Sequence, residues 1–360
     1  MRKSKSRKSE GRPIFKQEKV LVAGATGLVG SHLIRRLLNE GASVRATLHR
    51  KKPVVVDPRI EYVQADLTKG EDCRRVVENQ KIVFLCAAST SGAAAISSTP
   101  MIHVTPNLLI NAQMLEACYA AGVNKFMYLS STTGYPPTGD RPTREDEMFV
   151  GDPYEKYYFA GWMKRFTEIL CKMYGEKLAK PMTTIVLRPT NIYGEDDDFE
   201  FATSHVLPAL VRKVVERWDP LEVWGTGDDV RDLIHVSDMV EAMMLAMEKL
   251  DGHQAINIGL GKGHSVKELL ALILELDQFE NAKIVFNPSK PTMIPTRVID
   301  TTLAETMLGF RAKVDLREGL RRTIAWYRLH GRAAGTHDRA AAEPRPGSGA
   351  SDQPREKMLP

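Results

Sequence analysis

Apolar residues run unbroken through Val20-Leu21-Val22-Ala23, give way to Gly24-Ala-Thr26-Gly27-Leu28-Val29-Gly30, and return at Leu33, Ile34, Leu37 and Leu38. The first run predicts a buried strand and the second, with its three- and four-residue spacing, one face of a helix. Further strands are predicted over 42–48, 60–63, 81–87 and 125–129, with helix-period segments between them, notably 107–121, which closes at Gly122. A long helix over 154–174 follows, then a strand over 183–187 that runs out at Arg188-Pro189. Alternation of strand and helix at this spacing predicts an α/β fold with a parallel, doubly wound sheet. Past residue 190 the pattern shortens and loses regularity, with helices predicted over 204–216, 236–248, 266–276 and 316–330 and a strand over 221–224. That part reads as a smaller mixed α/β region over the C-terminal edge of the sheet, where open α/β folds bind ligands.

A glycine-rich turn between a strand and a helix suits a dinucleotide. Glycines let the backbone approach the pyrophosphate, and the helix N-terminus offers free N–H groups and a partial positive charge. Gly24, Thr26, Gly27, Leu28, Val29 and Gly30 are therefore the expected phosphate cradle. The strand over 42–48 runs into His49-Arg50-Lys51-Lys52 with no carboxylate to accept from an adenosine ribose. Arg50 can hold a 2′-phosphate, which favours NADP, with NAD as the alternative. Asp66, followed by Leu67, can accept from an adenine amino group or simply cap a turn. Ala87 and Ala88 follow a strand and are small enough for close approach of a cofactor. The expected division is a disordered basic arm over 1–17 and a dinucleotide-binding domain over 18–190 plus returning segments. A mainly substrate-binding region over 191–331 and a disordered tail over 332–360 complete it.

Composition removes several classes. The net charge of +5 resides in the first 19 residues, which hold eight Lys or Arg and two Glu, so the remainder is close to neutral. No basic surface for nucleic acid is expected. No stretch of eighteen apolar residues marks a membrane span. Cys73, Cys86, Cys118 and Cys171 show neither metal-type nor Cys-x-x-Cys spacing, which implies reduced thiols in the cytoplasm and no metal site.

From Lys19 to Tyr327 the chain resembles the extended short-chain dehydrogenase/reductase (NAD-dependent epimerase/dehydratase) family of nucleotide-sugar enzymes, with a Rossmann fold, and within it the GDP-L-fucose synthase branch. The resemblance rests on the segment from Asn107 through Lys125-Phe-Met-Tyr-Leu-Ser-Ser131-Thr-Thr133-Gly-Tyr135-Pro136 and on Arg188-Pro-Thr-Asn191-Ile-Tyr-Gly194. It rests equally on Thr203-Ser-His205-Val-Leu-Pro-Ala-Leu-Val-Arg212-Lys213, Val223-Trp-Gly-Thr-Gly-Asp-Asp-Val-Arg231-Asp232 and Phe286-Asn-Pro-Ser-Lys290-Pro. It implies that Ser131 bonds the reacting sugar oxygen, that Tyr154 gives a proton to a C4 carbonyl and borders the cofactor, as does Pro189, and that His205 is a proton-donating histidine. Thr133, Asn191, Lys213, Arg231 and Lys290 become candidates for the nucleotide and sugar. A homodimer through the helices that hold Asn107 and Tyr154 is also implied.

Two departures shape the expected chemistry. The family's Tyr-x-x-x-Lys pair reads as Tyr154-x-x-x-Tyr158, and Lys156 lies on another helix face. An ammonium beside the tyrosinate is worth about 3–4 kcal/mol at an effective dielectric near 20. A reductase needs a protonated phenol, the ordinary state at neutral pH, so the substitution hurts oxidation more than ketone reduction. Thr133 replaces the family's epimerising cysteine, and a hydroxyl is a poor proton abstractor. The expected function is NADP-dependent reduction of a 4-keto sugar nucleotide. Two alternatives stay open: a nucleotide-sugar epimerase or dehydratase with tightly held NAD, and a catalytically impaired dinucleotide- or nucleotide-sugar-binding protein.

Overall fold

The structure is a computed structural model that describes residues 14–89 and 99–334. Nearly all of the basic arm and the tail expected from the sequence lie outside the described residues.

Seven strands form the main sheet: β1 (Lys19–Ala23), β2 (Ser43–Leu48), β3 (Ile60–Gln64), β4 (Ile82–Leu85), β5 (Lys125–Leu129), β6 (Thr183–Pro189) and, arriving late in the chain, β10 (His253–Ile258). Their order is β10-β6-β5-β4-β1-β2-β3, and all neighbours are parallel. The order reverses between β1 and β4, so the crevice for a ligand opens there. The helices are α1 (Leu28–Asn39), α2 (Gly70–Val77), α3 (Met101–Ala120), α4 (Tyr158–Glu176), α5 (Val206–Val215), α6 (Val236–Lys249), α7 (Val266–Leu276), α8 (Thr302–Leu308) and α9 (Leu316–Ala334). Leu33, Ile34 and Leu37 of α1 join Met239, Met243 and Met247 of α6 on one face of the sheet. Cys73 and Val76 of α2, Met114 and Leu115 of α3 and Cys171 of α4 cover the other.

Beyond β6, the short strands β7 (Asn191–Tyr193), β9 (Val230–His235), β11 (Gly263–Ser265) and β13 (Thr296–Arg297) make a second small sheet. Strands β8 (Leu221–Trp224) and β12 (Ile284–Asn287) pair separately. This region has its own core, with Leu210 and Val214 of α5, Leu269 and Ile273 of α7 and Leu320 and Ile324 of α9.

Two boundaries differ from the periodicity. Helix α3 begins at Met101, before Pro106, because the Ile102 carbonyl that proline leaves without a helical donor accepts from Ser89 Oγ at 3.2 Å. The helix expected from residue 154 starts only at Tyr158, after a 3-10 turn over Glu155–Tyr157, so Tyr154 stands outside it.

Candidate active site

The phosphate cradle is built from backbone. Gly24 has φ +94, and a Cβ there would lie 2.5–2.8 Å from the backbone of Ala87 and Cys86, so only glycine lets the β1 and β4 exits touch. A Cβ on Gly30 would fall on the Gly24 carbonyl oxygen. The Gly24 N–H donates to Thr47 Oγ1 at 3.0 Å, which holds the turn. Gly27 caps α1 without a side-chain hydrogen bond, and the first intrahelical bond here runs from Ser31 N to Gly27 O. The N–H groups of the first turn, from Leu28, Val29 and Gly30, thus face the crevice end of α1, next to Thr26, and suit an anion. These residues fit a dinucleotide pyrophosphate.

The cradle's rim is mixed. Arg50 is exposed beyond β2. Asp66 Oδ1 accepts from Thr68 N at 3.1 Å and Thr68 Oγ1 at 2.7 Å, which lowers its pKa and makes it a turn cap, while Leu67 is buried in the core. Ala87 and Ala88 lead to Ser89, whose N–H and carbonyl are both bonded to the Asn107 side chain at 2.9 Å. Pro189 ends β6 opposite Ile258.

Three contacts tie α4 to the end of β5. A Cβ on Gly161 would lie 2.7 Å from the Thr133 carbonyl oxygen and 2.6 Å from Pro153, so the glycine brings the first turn of α4 against the Ser131–Thr133 loop. Lys164 Nζ donates to the Leu129 carbonyl at 3.0 Å and lies 4.9 Å from the Tyr128 ring centroid. Glu168 accepts from Ser130 Oγ at 2.5 Å and pairs with Arg188, with both partners buried. Ser131 itself caps the loop, its Oγ accepting from Thr133 N at 3.2 Å. Burial pushes the Lys164 pKa down to about 8, partly offset by Glu168.

This geometry corrects the reading of the Tyr-x-x-x-Lys pair. Tyr158 does not face the cradle: it is 42% exposed and packs edge-on against Phe159 and Trp162 on the outer face of α4. The cation at the end of β5 is Lys164, and the residue four before it is Ala160, buried on the same face. On the inward face of α4, Lys164 thus follows Ala160 by one turn, and Tyr158 lies off that face. Tyr154 and Tyr157, with ring centroids 6.2 Å apart, lie near Arg231 and Asp229. The signal for Lys164 was in the sequence. Ala160, Gly161, Thr167, Glu168 and Cys171 trace the inward stripe of α4, and Lys164 lies on it.

Several predicted substrate residues surround the second region. His205 is exposed at the N-cap of α5. Lys213 Nζ donates to Glu222 O at 2.7 Å and lies within 6 Å of the Phe201 and Trp218 rings. Lys290 lies over Trp224 at 5.7 Å. Arg231 pairs with Asp229 at 3.0 Å, and Asn191 is exposed on β7. His103, absent from the sequence reading, lines a small cavity with Pro100, Val104, Lys156, Phe159 and Ala160.

Comparison with known proteins agrees with this architecture. The model of the NAD dependent epimerase/dehydratase family matches residues 20–259. A probable GDP-L-fucose synthase 1 of Oryza sativa subsp. japonica is 33% identical over 318 residues, covering 86% of this chain and 92% of its own. The crystal structure of UDP-glucose 4-epimerase from Thermotoga maritima, with UDP-glucose, superposes with a TM-score of 0.78 at 27% identity, covering 86% of this chain and 99% of the other. The Thermus thermophilus UDP-glucose 4-epimerase complex with NAD gives a TM-score of 0.75 at 26% identity, with the same coverages. With a glycine cradle at the sheet's switch point and a lysine against the end of β5, the chain belongs to the NAD-dependent epimerase/dehydratase family.

Proposed function

We propose that the protein reduces a 4-keto sugar nucleotide with NADPH. The observation that carries this reading is the asymmetry of the α4 face: Lys164 stands at the end of β5, whereas Ala160 supplies no phenol. Oxidising an alcohol needs a base to take its proton, whereas a carbonyl oxygen accepts one from any nearby acid or from water. Thr133 in place of a thiol argues against epimerisation beside the ketone. When bound, the reduced nicotinamide would supply the hydride; Gly24 to Gly30 would hold the pyrophosphate, and Lys164 is the cation available to the inner ribose. Ser131 orients the carbonyl oxygen, while Lys213, Arg231 and Lys290 take the nucleotide diphosphate and sugar. Arg50 supports NADP over NAD.

The outer faces of α3 and α4 expose Leu109, Trp162, Phe166, Ile169 and Met173. Such a patch is what a homodimer would cover. The free thiols of all four cysteines suit the cytoplasm, and no described helix is long and apolar enough to cross a membrane.

The test is NADPH consumption with a panel of 4-keto sugar nucleotides, alongside identification of any copurifying dinucleotide. Turnover without release of a 3,5-epimerised product supports the reading. Stoichiometric retained NAD with no NADPH consumption overturns it in favour of an epimerase.

A further inference from the structure

We propose that His103 is the proton donor to the reacting carbonyl oxygen, in the place where Ala160 leaves no phenol. The inference rests on the reductase reading above.

His103 belongs to the first turn of α3. Its backbone is fixed because Asn107 Nδ2 donates to the His103 carbonyl at 2.6 Å and binds Ser89 at the exit of β4. Its Nδ1 is buried and has no hydrogen-bond partner among the described residues. Most buried polar atoms in folded chains are paired, so an unpaired one beside a cavity is open to an atom from outside the chain. That cavity is shared with Ala160, one turn before Lys164 on the inward stripe of α4. His103 thus lies at the spot vacated by the missing side chain.

The groups that face the ring are Lys164 from α4, His205 from the N-cap of α5, and Lys156 across the cavity. Burial, then Lys164, then His205 lower its pKa, so the imidazolium gives up its proton more readily than that of a free histidine and is populated toward acid pH. The step balances simply. The carbonyl carbon gains the hydrogen and electron pair that the reduced coenzyme supplies, and the π pair of C=O moves to oxygen. Oxygen then takes the proton as the imidazole N–H bond breaks, and the ring regains a proton from water.

Two measurements test this. In single-turnover NADPH oxidation with a 4-keto sugar nucleotide, His103→Gln should slow the reaction on the order of 100-fold, as loss of a general acid does. NADPH affinity by fluorescence titration should stay within about twofold. The falling limb of rate with rising pH should vanish, and imidazole should restore part of the rate to His103→Ala. In the ligand-free chain, NMR titration should find the His103 pKa raised by Lys164→Met, which removes a neighbouring cation. Wild-type turnover that His103→Gln leaves unchanged, or loss that follows Tyr157→Phe instead, overturns the assignment and leaves the reductase reading standing. A His103 pKa indifferent to Lys164→Met likewise overturns it. No turnover with any ketone overturns both.

Discussion

Replacing Lys164 by Met removes a buried ammonium while keeping most of the side chain's volume. The folded chain holds this lysine near pKa 8, against an ordinary value near 10.5, because burial disfavours the charged form. Between those values the unfolded chain binds a proton that the folded chain does not, so folding stability rises with pH there. Below pH 8 the penalty is fully present; integrated over the interval it amounts to about 3 kcal/mol, and about 2 kcal/mol is recovered by pH 9.5. The assay is urea unfolding of wild type and Lys164→Met at pH 7 and pH 9.5. Other titrating groups cancel in the comparison, so wild type should gain about 2 kcal/mol on the variant across that range. Cofactor affinity provides the second arm. Losing a charge-assisted bond to the ribose should weaken NADPH binding about tenfold or more. Wild-type affinity should fall as pH rises past 8, since the ammonium is lost. A stability difference that ignores pH, together with unchanged NADPH affinity, would refute the placement of Lys164.

Tyr158→Phe should leave turnover and melting temperature unchanged, since the phenol sits on the outer face of α4; a hundredfold loss of rate would return Tyr158 to the site. Gly30→Ala should abolish dinucleotide binding by fluorescence titration, because its methyl would collide with the Gly24 carbonyl and open the cradle. Glu168→Ala should cost about 3–5 kcal/mol in chemical denaturation, because it strands the buried Arg188 guanidinium. Phe166→Glu should shift the chain to monomer in light scattering if α3 and α4 form the dimer face; a variant as dimeric as wild type would remove that face.

Local pattern was enough for the parallel sheet and its glycine cradle. Buried strands such as Val20–Ala23 are continuous apolar runs, and the glycine spacing of the turn is local: a Cβ on Gly30 would meet the Gly24 carbonyl six residues back, although the close approach of Gly24 to Ala87 is set by the tertiary fold. The edge strand β10 escaped because His253-Gln-Ala-Ile-Asn-Ile is half polar and joins the sheet only after a return of some sixty residues. The reacting centre was harder still. Read along the chain, Tyr154 and Tyr158 occupy the spacing of a catalytic pair. Where α4 touches β5 is decided elsewhere, by Gly161 against Thr133, Lys164 against Leu129 and Glu168 against Arg188 and Ser130. The hydrogen-bonded partners of Lys164 and Glu168 are 20 to 38 residues away in sequence, and they set the phase of the helix. Chain order determined which chemical groups were available; the packing of one helix on one strand end determined which of them face the ligand.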